Sequence, residues 1–255
     1  MKKLIAILLA LVTVFCLFAC GNTETPNTTA AKTETTEGTK DTEGTTAPKE
    51  DAADKAMTYA EYVAAEMEAD VTILCYVQAT QSWWDNKITV YGADKDGAYF
   101  IYELACTEEE SKKMVPGALI KVKGTKGAWA GEVEVMDGTF EFVESEEKYI
   151  AEAVDLTDKM DSEELINYQN QLATFKGLTV KELSFKNEGG DDIYVTLTKG
   201  DKEYNFCVEM YLTAPDSDVY KAVSALKAGD KIDVTAYLYW YEGMNPHIVA
   251  VKAAA

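Results

Sequence analysis

Arginine is missing altogether. All 24 basic residues of this 255-residue chain are lysines, set against 44 acidic residues, for a net charge of −20. Without a guanidinium fork, the chain has no side chain for bidentate capture of carboxylate or phosphate. Polyanion binding relies on Lys and Arg neutralising phosphates, so this balance predicts no nucleic-acid partner. The ligand it favours is neutral, cationic or apolar. Histidine is nearly missing. His247 stands alone, which excludes a zinc site built on several histidines. No GxSxG nucleophile motif accompanies it, so its reading is a hydrogen bond at a strand edge.

Also missing is any apolar run of the roughly 20 residues that a membrane-spanning helix needs. The longest, residues 4–19, follows Lys2 and Lys3 and ends at Cys20. A charged start, a short apolar core and a small residue at the cut describe a secretory signal. Leu17-Phe18-Ala19-Cys20 resembles a bacterial lipobox, with Phe18 standing where a small residue is usual. Residues 1–20 are therefore expected to be a lipoprotein signal peptide. Cys20, acylated with palmitate-type chains, becomes the mature N-terminus and inserts in the lipid bilayer at the extracytoplasmic face of the cell membrane. Removal of Lys2 and Lys3 takes the charge to −22. Beyond Cys16 and Cys20, only Cys75, Cys106 and Cys207 remain, with no CxxC spacing. An odd number in strand-like runs reads as buried thiols rather than a framework or a metal site. The compartment leaves a Cys75–Cys106 bridge open.

Residues 21–56 show no apolar periodicity and are rich in threonine. Such a composition predicts a disordered tether with an r.m.s. span of roughly 35 Å. Beyond it the pattern changes. Thr58-Tyr59-Ala60-Glu61 has the spacing of a capping box, and Val71, Ile73, Cys75 and Val77 alternate as a strand does. Further strands are expected at 88–91, 99–105, 119–126 and 132–143, with a helix-like stretch at 108–114. Three strands, a helix and two strands is the order of the OB-fold, a five-stranded, partly open barrel. The order repeats over residues 151–255, where Gly177 interrupts a strand that a barrel must bend. At an offset of 112, Gly117 meets Gly229, Ile120 meets Ile232, Val122 meets Val234 and Gly131 meets Gly243. The fold class expected is mainly β: two tandem OB-fold-like five-stranded barrels with short helices, at 57–150 and 151–255.

Long stretches also carry a resemblance. Thr58-Tyr59-Ala60-Glu61-Tyr62-Val63-Ala64-Ala65-Glu66, Gln81-Ser82-Trp83-Trp84-Asp85-Asn86-Lys87, Trp129-Ala130-Gly131-Glu132-Val133-Glu134 and Leu238-Tyr239-Trp240-Tyr241-Glu242-Gly243-Met244-Asn245-Pro246-His247-Ile248 are similar to stretches in lipoproteins of clostridia and related gut Firmicutes. The resemblance covers essentially the whole mature chain. It implies tandem OB domains on a lipid anchor, and it implies no activity.

Tryptophan marks the candidate sites. Trp83 and Trp84 fall between the first two strands, and Trp129 between the fourth and fifth. On an OB barrel these loops flank the usual binding face, so their aromatics are expected to approach one another. With Asp85 and Asn86 beside them they can stack on sugar rings or aliphatic cations. Alternatively they plug the barrel end or pack between domains. Trp240, Tyr241 and Asn245 occupy the equivalent loop of the second unit, where a contact between domains or with a partner protein is the expected role. Asp94-Lys95-Asp96-Gly97 lacks the distal glutamate of a calcium loop and reads as a hairpin turn. No cofactor and no metal are expected. The function expected is a tethered, non-enzymatic binding module for glycan or cell-envelope material. The alternative is an adaptor for an envelope protein partner, ahead of an enzyme, for which no nucleophile–base pair exists.

Overall fold

The computed structural model describes residues 55–187 and 191–254. The signal, Cys20 and the tether up to residue 54 lie outside them. Helix α1 (Tyr59–Ala64) opens on the expected capping box: the Thr58 hydroxyl accepts from Glu61 N–H while the Glu61 carboxylate accepts from Thr58 N–H. Its far end is capped by a side chain from another element. Lys126, almost wholly buried, donates from Nζ to the carbonyls of Tyr62, Val63 and Ala65 at 2.7–2.9 Å. A cation there satisfies the free carbonyls and opposes the negative end of the helix dipole. Burial holds this ammonium below its ordinary pKa.

Strands β1 (Asp70–Thr80), β2 (Lys87–Ala93), β3 (Ala98–Ala105), β4 (Leu119–Trp129) and β5 (Glu132–Phe142) form a closed barrel in the order β1-β2-β3-β5-β4. Helix α2 (Glu108–Ser111) lies between β3 and β4. Alternation sends Ile73, Val77, Val90, Tyr99, Ile101, Ile120 and Val122 inward to one core, as period-two strands require. On β3 the register slips, so Tyr102 and Glu103 share Thr89 as partner, and Glu103 takes φ +45°. That is a bulge, which sharpens the strand's bend. The barrel is OB-fold-like.

A short strand β6 (Val154–Asp155) runs parallel to β7 (Leu172–Phe185), which continues to β8 (Ile193–Lys199) and β9 (Lys202–Val208). After helix α3 (Asp218–Ser224), strands β10 (Lys231–Tyr237) and β11 (His247–Ala253) complete a sheet ordered β10-β11-β9-β8-β7-β6, and β10 also pairs with β7. At Gly177, φ is +64° and two residues of β7 oppose Asp233, whose carboxylate accepts the Gly177 N–H. The glycine supplies the bend there. This sheet has its own core, around Phe175, Leu178, Leu197, Phe206, Val223 and Ile232. Cys75, Cys106 and Cys207 are buried free thiols, so the Cys75–Cys106 bridge is not formed. No helix among the described residues is long and apolar enough to cross a membrane.

Candidate functional site

The β1–β2 connection is a tight hairpin. Trp84 and Lys87 exchange N–H···O bonds, and Asp85 and Asn86 between them have φ of +47° and +60°. A turn with two left-handed residues matches strand twist and favours Asp and Asn. These two residues therefore owe their identity to turn geometry. The adjacent tryptophans part company. Trp83 packs against the barrel core and donates from Nε1 to the Cys106 carbonyl at 2.7 Å, so it closes the barrel end. Trp84 points outward and is 79% exposed.

The β4–β5 turn is built the same way, with Ala130 at φ +50° and Gly131 at +96°. Trp129, at its edge, is 63% exposed. Strand register shows where the two tips lie. Lys87 pairs with Ala105 at the end of β3, whereas Glu134 of β5 lies beside Phe100 near its start. At about 3.3 Å per residue, Trp84 and Trp129 are set roughly 20 Å apart along β3. The expected approach of the aromatics is not met, because β5 runs parallel to β3 and carries its turn to the opposite end.

What covers the face between these tips is the second sheet. The outward residues Tyr91 of β2 and Phe100 of β3 are buried against Tyr237, with Leu172, Leu212, Tyr239 and Val249 around them. Tyr91 stacks on Tyr237 at 4.5 Å between ring centroids, and Phe100 meets Tyr239 edge-on at 5.3 Å. His247 is buried here, as a strand-edge hydrogen-bonding residue: its Nδ1 shares a 2.6 Å hydrogen bond with the Tyr91 hydroxyl, and its ring stacks on Tyr239. Burial pushes its pKa down to about 3, so the imidazole is neutral. Ser82 N–H donates to the Tyr211 carbonyl at 2.7 Å and ties the first loop to the same seam.

The β4–β5 turn meets residues 239–246. Glu242 N–H donates to the Ala130 carbonyl at 2.7 Å, and Trp240 lies so close to Gly131 that a Cβ there would stand 2.7 Å from its ring. Gln169 brackets the turn, accepting from Val133 N–H and donating to the Gly131 carbonyl. Trp240 is thus partly buried in the seam, whereas Tyr241 is 51% exposed. Asn245 donates its N–H to the Tyr239 carbonyl, and its Oδ1 is buried without a partner. Among the residues that sequence reasoning passed over, Glu132 and Glu134 stand out. Both are buried on β5. Burial, with the Glu134 charge as a lesser contribution, pushes Glu132 up to about 8. Burial and the Glu103 carboxylate push Glu134 up to about 7. Their i, i+2 spacing on a strand was visible, but nothing local showed that this outer face is covered.

No known protein family matches the chain, and no curated protein does. Among solved structures, the chain is similar to a murine DNA-binding protein bound with double-stranded DNA: 15% identity over 72% of this chain and 96% of that one, TM-score 0.35. It is also similar to the Ifi202 HINa domain in complex with duplex DNA, at 10% identity over 74% and 98%, TM-score 0.32. A third, p202 HIN1 with a duplex 12-mer, has 12% identity over 73% and 93%, TM-score 0.32. The expectation of no nucleic-acid partner is corrected here, since chains similar over most of their length were solved on duplex DNA. Net charge belongs to the whole molecule and does not exclude a local lysine-lined contact. At these scores and identities the likeness is one of fold and says nothing further of this chain.

Proposed function

We propose that the protein is a lipid-anchored, extracytoplasmic binding module without catalytic activity, holding glycan or other cell-envelope material. The observation that carries this reading is the exposure of Trp84 at 79% and Trp129 at 63%, each on a two-residue hairpin turn. Large aromatics exposed on hairpin tips among the described residues are a cost to solubility that a ligand offsets. Their separation along β3 fits an extended ligand touching two points better than a small one held in a single clamp. The arrangement is read as a tandem pair of OB barrels over 57–150 and 151–255. Supporting the duplication, Gly117 N–H donates to Val77 O while Val77 N–H donates to Ala118 O, and Gly229, Val180 and Asp230 repeat the pattern. Both glycines have φ near +90°. The anchor is Cys20, where two or more acyl chains at about 0.8 kcal/mol per buried CH2 give stable attachment that one chain does not.

The test is a glycan array probed with the full chain in detergent, with a duplex-DNA arm beside it. Retention on glycans, weakened at least tenfold by Trp84→Ala or Trp129→Ala with unfolding midpoints unchanged, supports the reading. Retention on DNA alone, or glycan binding indifferent to both substitutions, overturns it. For the anchor, Cys20→Ala is expected to release the protein from membranes, and a variant that stays bound refutes the acylated cysteine.

A further inference from the structure

The seam holds an unfinished hydrogen-bond arrangement. Glu132 is 0% exposed: its Oε2 accepts from Trp240 N–H at 2.8 Å, and its Oε1 has no partner. Asn170, 5% exposed, donates from Nδ2 to the Val133 carbonyl at 3.2 Å, which fixes its amide orientation and leaves Oδ1 without a partner. Burial outweighs the Trp240 N–H and the Asn170 amide, which both favour the charged form of the Glu132 carboxyl. Buried acceptors lacking a donor are costly. Asn245 Oδ1 is a third in the same seam, and the Tyr62 hydroxyl is also buried without a partner. One proton on Glu132 supplies a donor for the pair it forms with Asn170.

We propose that Glu132 is held in the seam as a neutral carboxylic acid whose O–H is that donor, and that release of this proton to solvent parts the β4–β5 turn from residues 239–246. The outer face of β2 and β3, covered by the second sheet, is then uncovered. The surroundings make the carboxylate unwelcome. Glu134 flanks it on β5, Tyr62 faces it from α1, Tyr91 from β2, and Tyr239 from the chain after β10. Beyond these lie Glu209, which acts on Tyr91 and Tyr239, and His247 on β11, which is neutral. None of these titratable groups is cationic, so a charge formed on Glu132 has only the Trp240 N–H and the Asn170 amide to set against its burial. The ties that would part are the Trp240 N–H to Glu132 bond and the Glu242 N–H to Ala130 bond beside it. A titration near pH 8 agrees with this placement. The inference goes beyond the glycan reading and holds or fails without it.

The experiment uses the full chain in detergent, followed by infrared absorption and by amide hydrogen exchange corrected for its intrinsic pH dependence. The expected result is a neutral-carboxyl C=O band at pH 6 with a component that Glu132→Gln removes and that fades with a midpoint near pH 8, apart from the Glu134 component that fades near pH 7. Exchange of segments 130–133 and 239–246 should rise about tenfold per pH unit from pH 5 up to the midpoint, as release of one proton requires, level off above it, and stay flat in Glu132→Gln. A band absent at pH 6 or untouched by Glu132→Gln means that water fills the gap, and the proposal fails. Flat exchange in the wild type up to pH 9.5 overturns it equally. Should Glu132→Gln not fold, Glu134→Gln decides: the step near pH 8 persists if Glu132 is its source, and its loss refutes the assignment.

Discussion

Replacing Glu132 with glutamine should stabilise the protein, and more so as pH rises. The wild-type carboxyl titrates at about 8 when folded, against an ordinary value of 4.5. The folded state therefore holds a proton that the unfolded chain has already released. Stability from this group is fully present below pH 4.5 and is lost as pH rises through 8. At about 1.4 kcal/mol per pH unit, the loss reaches roughly 3 kcal/mol by pH 7 and about 5 kcal/mol by pH 8, where it levels off. Glutamine keeps an acceptor for the Trp240 N–H and presents an amide donor in place of the unpartnered Oε1. It has no proton to lose. Glu134, whose pKa is raised in the same direction, tilts wild type and variant alike, so it cancels in their difference to first order. Urea unfolding followed by fluorescence at each pH from 5 to 9 measures that difference. It should grow by about 1.4 kcal/mol per unit to pH 8 and then stop. Two curves running parallel across the whole range would refute the argument, because Glu132 would then be ionised in both states.

The remaining predictions concern packing. Trp83→Ala, which empties the barrel end and orphans the Cys106 carbonyl, should cost about 3–4 kcal/mol in chemical denaturation. Trp84→Ala, next door but 79% exposed, should stay within about 0.5 kcal/mol; equal effects would contradict the opposite facing of the pair. Gly131→Ala places a methyl 2.7 Å from the Trp240 ring at φ +96°, so a loss of about 2–3 kcal/mol and a shift in tryptophan emission are expected. Gly200→Ala, with φ +63° and open space around it, meets only the backbone penalty of about 1 kcal/mol. Lys126→Met withdraws three hydrogen bonds from the end of α1 and should cost about 2–3 kcal/mol, with faster amide exchange confined to residues 58–66. Uniform destabilisation with no local exchange change would reject the capping role.

Much of the fold is written in short-range chemistry, and those parts are legible in the sequence. The alternation of Val71, Ile73, Cys75 and Val77 places all four in the barrel core, and Thr58 with Glu61 forms both bonds of its capping box. Gly177 bends β7 where a strand-interior glycine was expected to. Asp94 accepts from Asp96 and Gly97 N–H, the turn that its spacing described. The candidate site was harder because its defining fact is a contact between sheets. Alternation assigns Tyr91, Phe100, Glu132 and Glu134 to the outer face of the barrel, and the same pattern serves a face in water or a face against another sheet. Only the aromatic character of Tyr91, Phe100 and Tyr237 hinted at cover, and two glutamates spoke against it. The tryptophans depended on register as well. That Trp84 and Trp129 stand at opposite ends of β3 follows from the parallel pairing of Phe100 with Glu134, a long-range choice with no local signature.

That pairing has a functional consequence. On an OB barrel the outer face of the second and third strands, with the β1–β2 and β4–β5 loops, is the usual ligand surface. Here the face is filled by Tyr237 and Tyr239. The first loop is tied down through Ser82 to Tyr211, and the second through Ala130 to Glu242. The first barrel has thus spent its customary surface on the rest of its own chain, and the most exposed of its large apolar side chains are the two tryptophans at its turns. If the proposed binding holds, the ligand either reaches both tips around the edge of the seam or binds once the seam opens. These routes differ in one observable. Binding around the edge is indifferent to the protonation of Glu132, whereas binding to the uncovered face strengthens as that proton leaves. Measuring affinity for any captured glycan on either side of pH 8, in wild type and in Glu132→Gln, separates them.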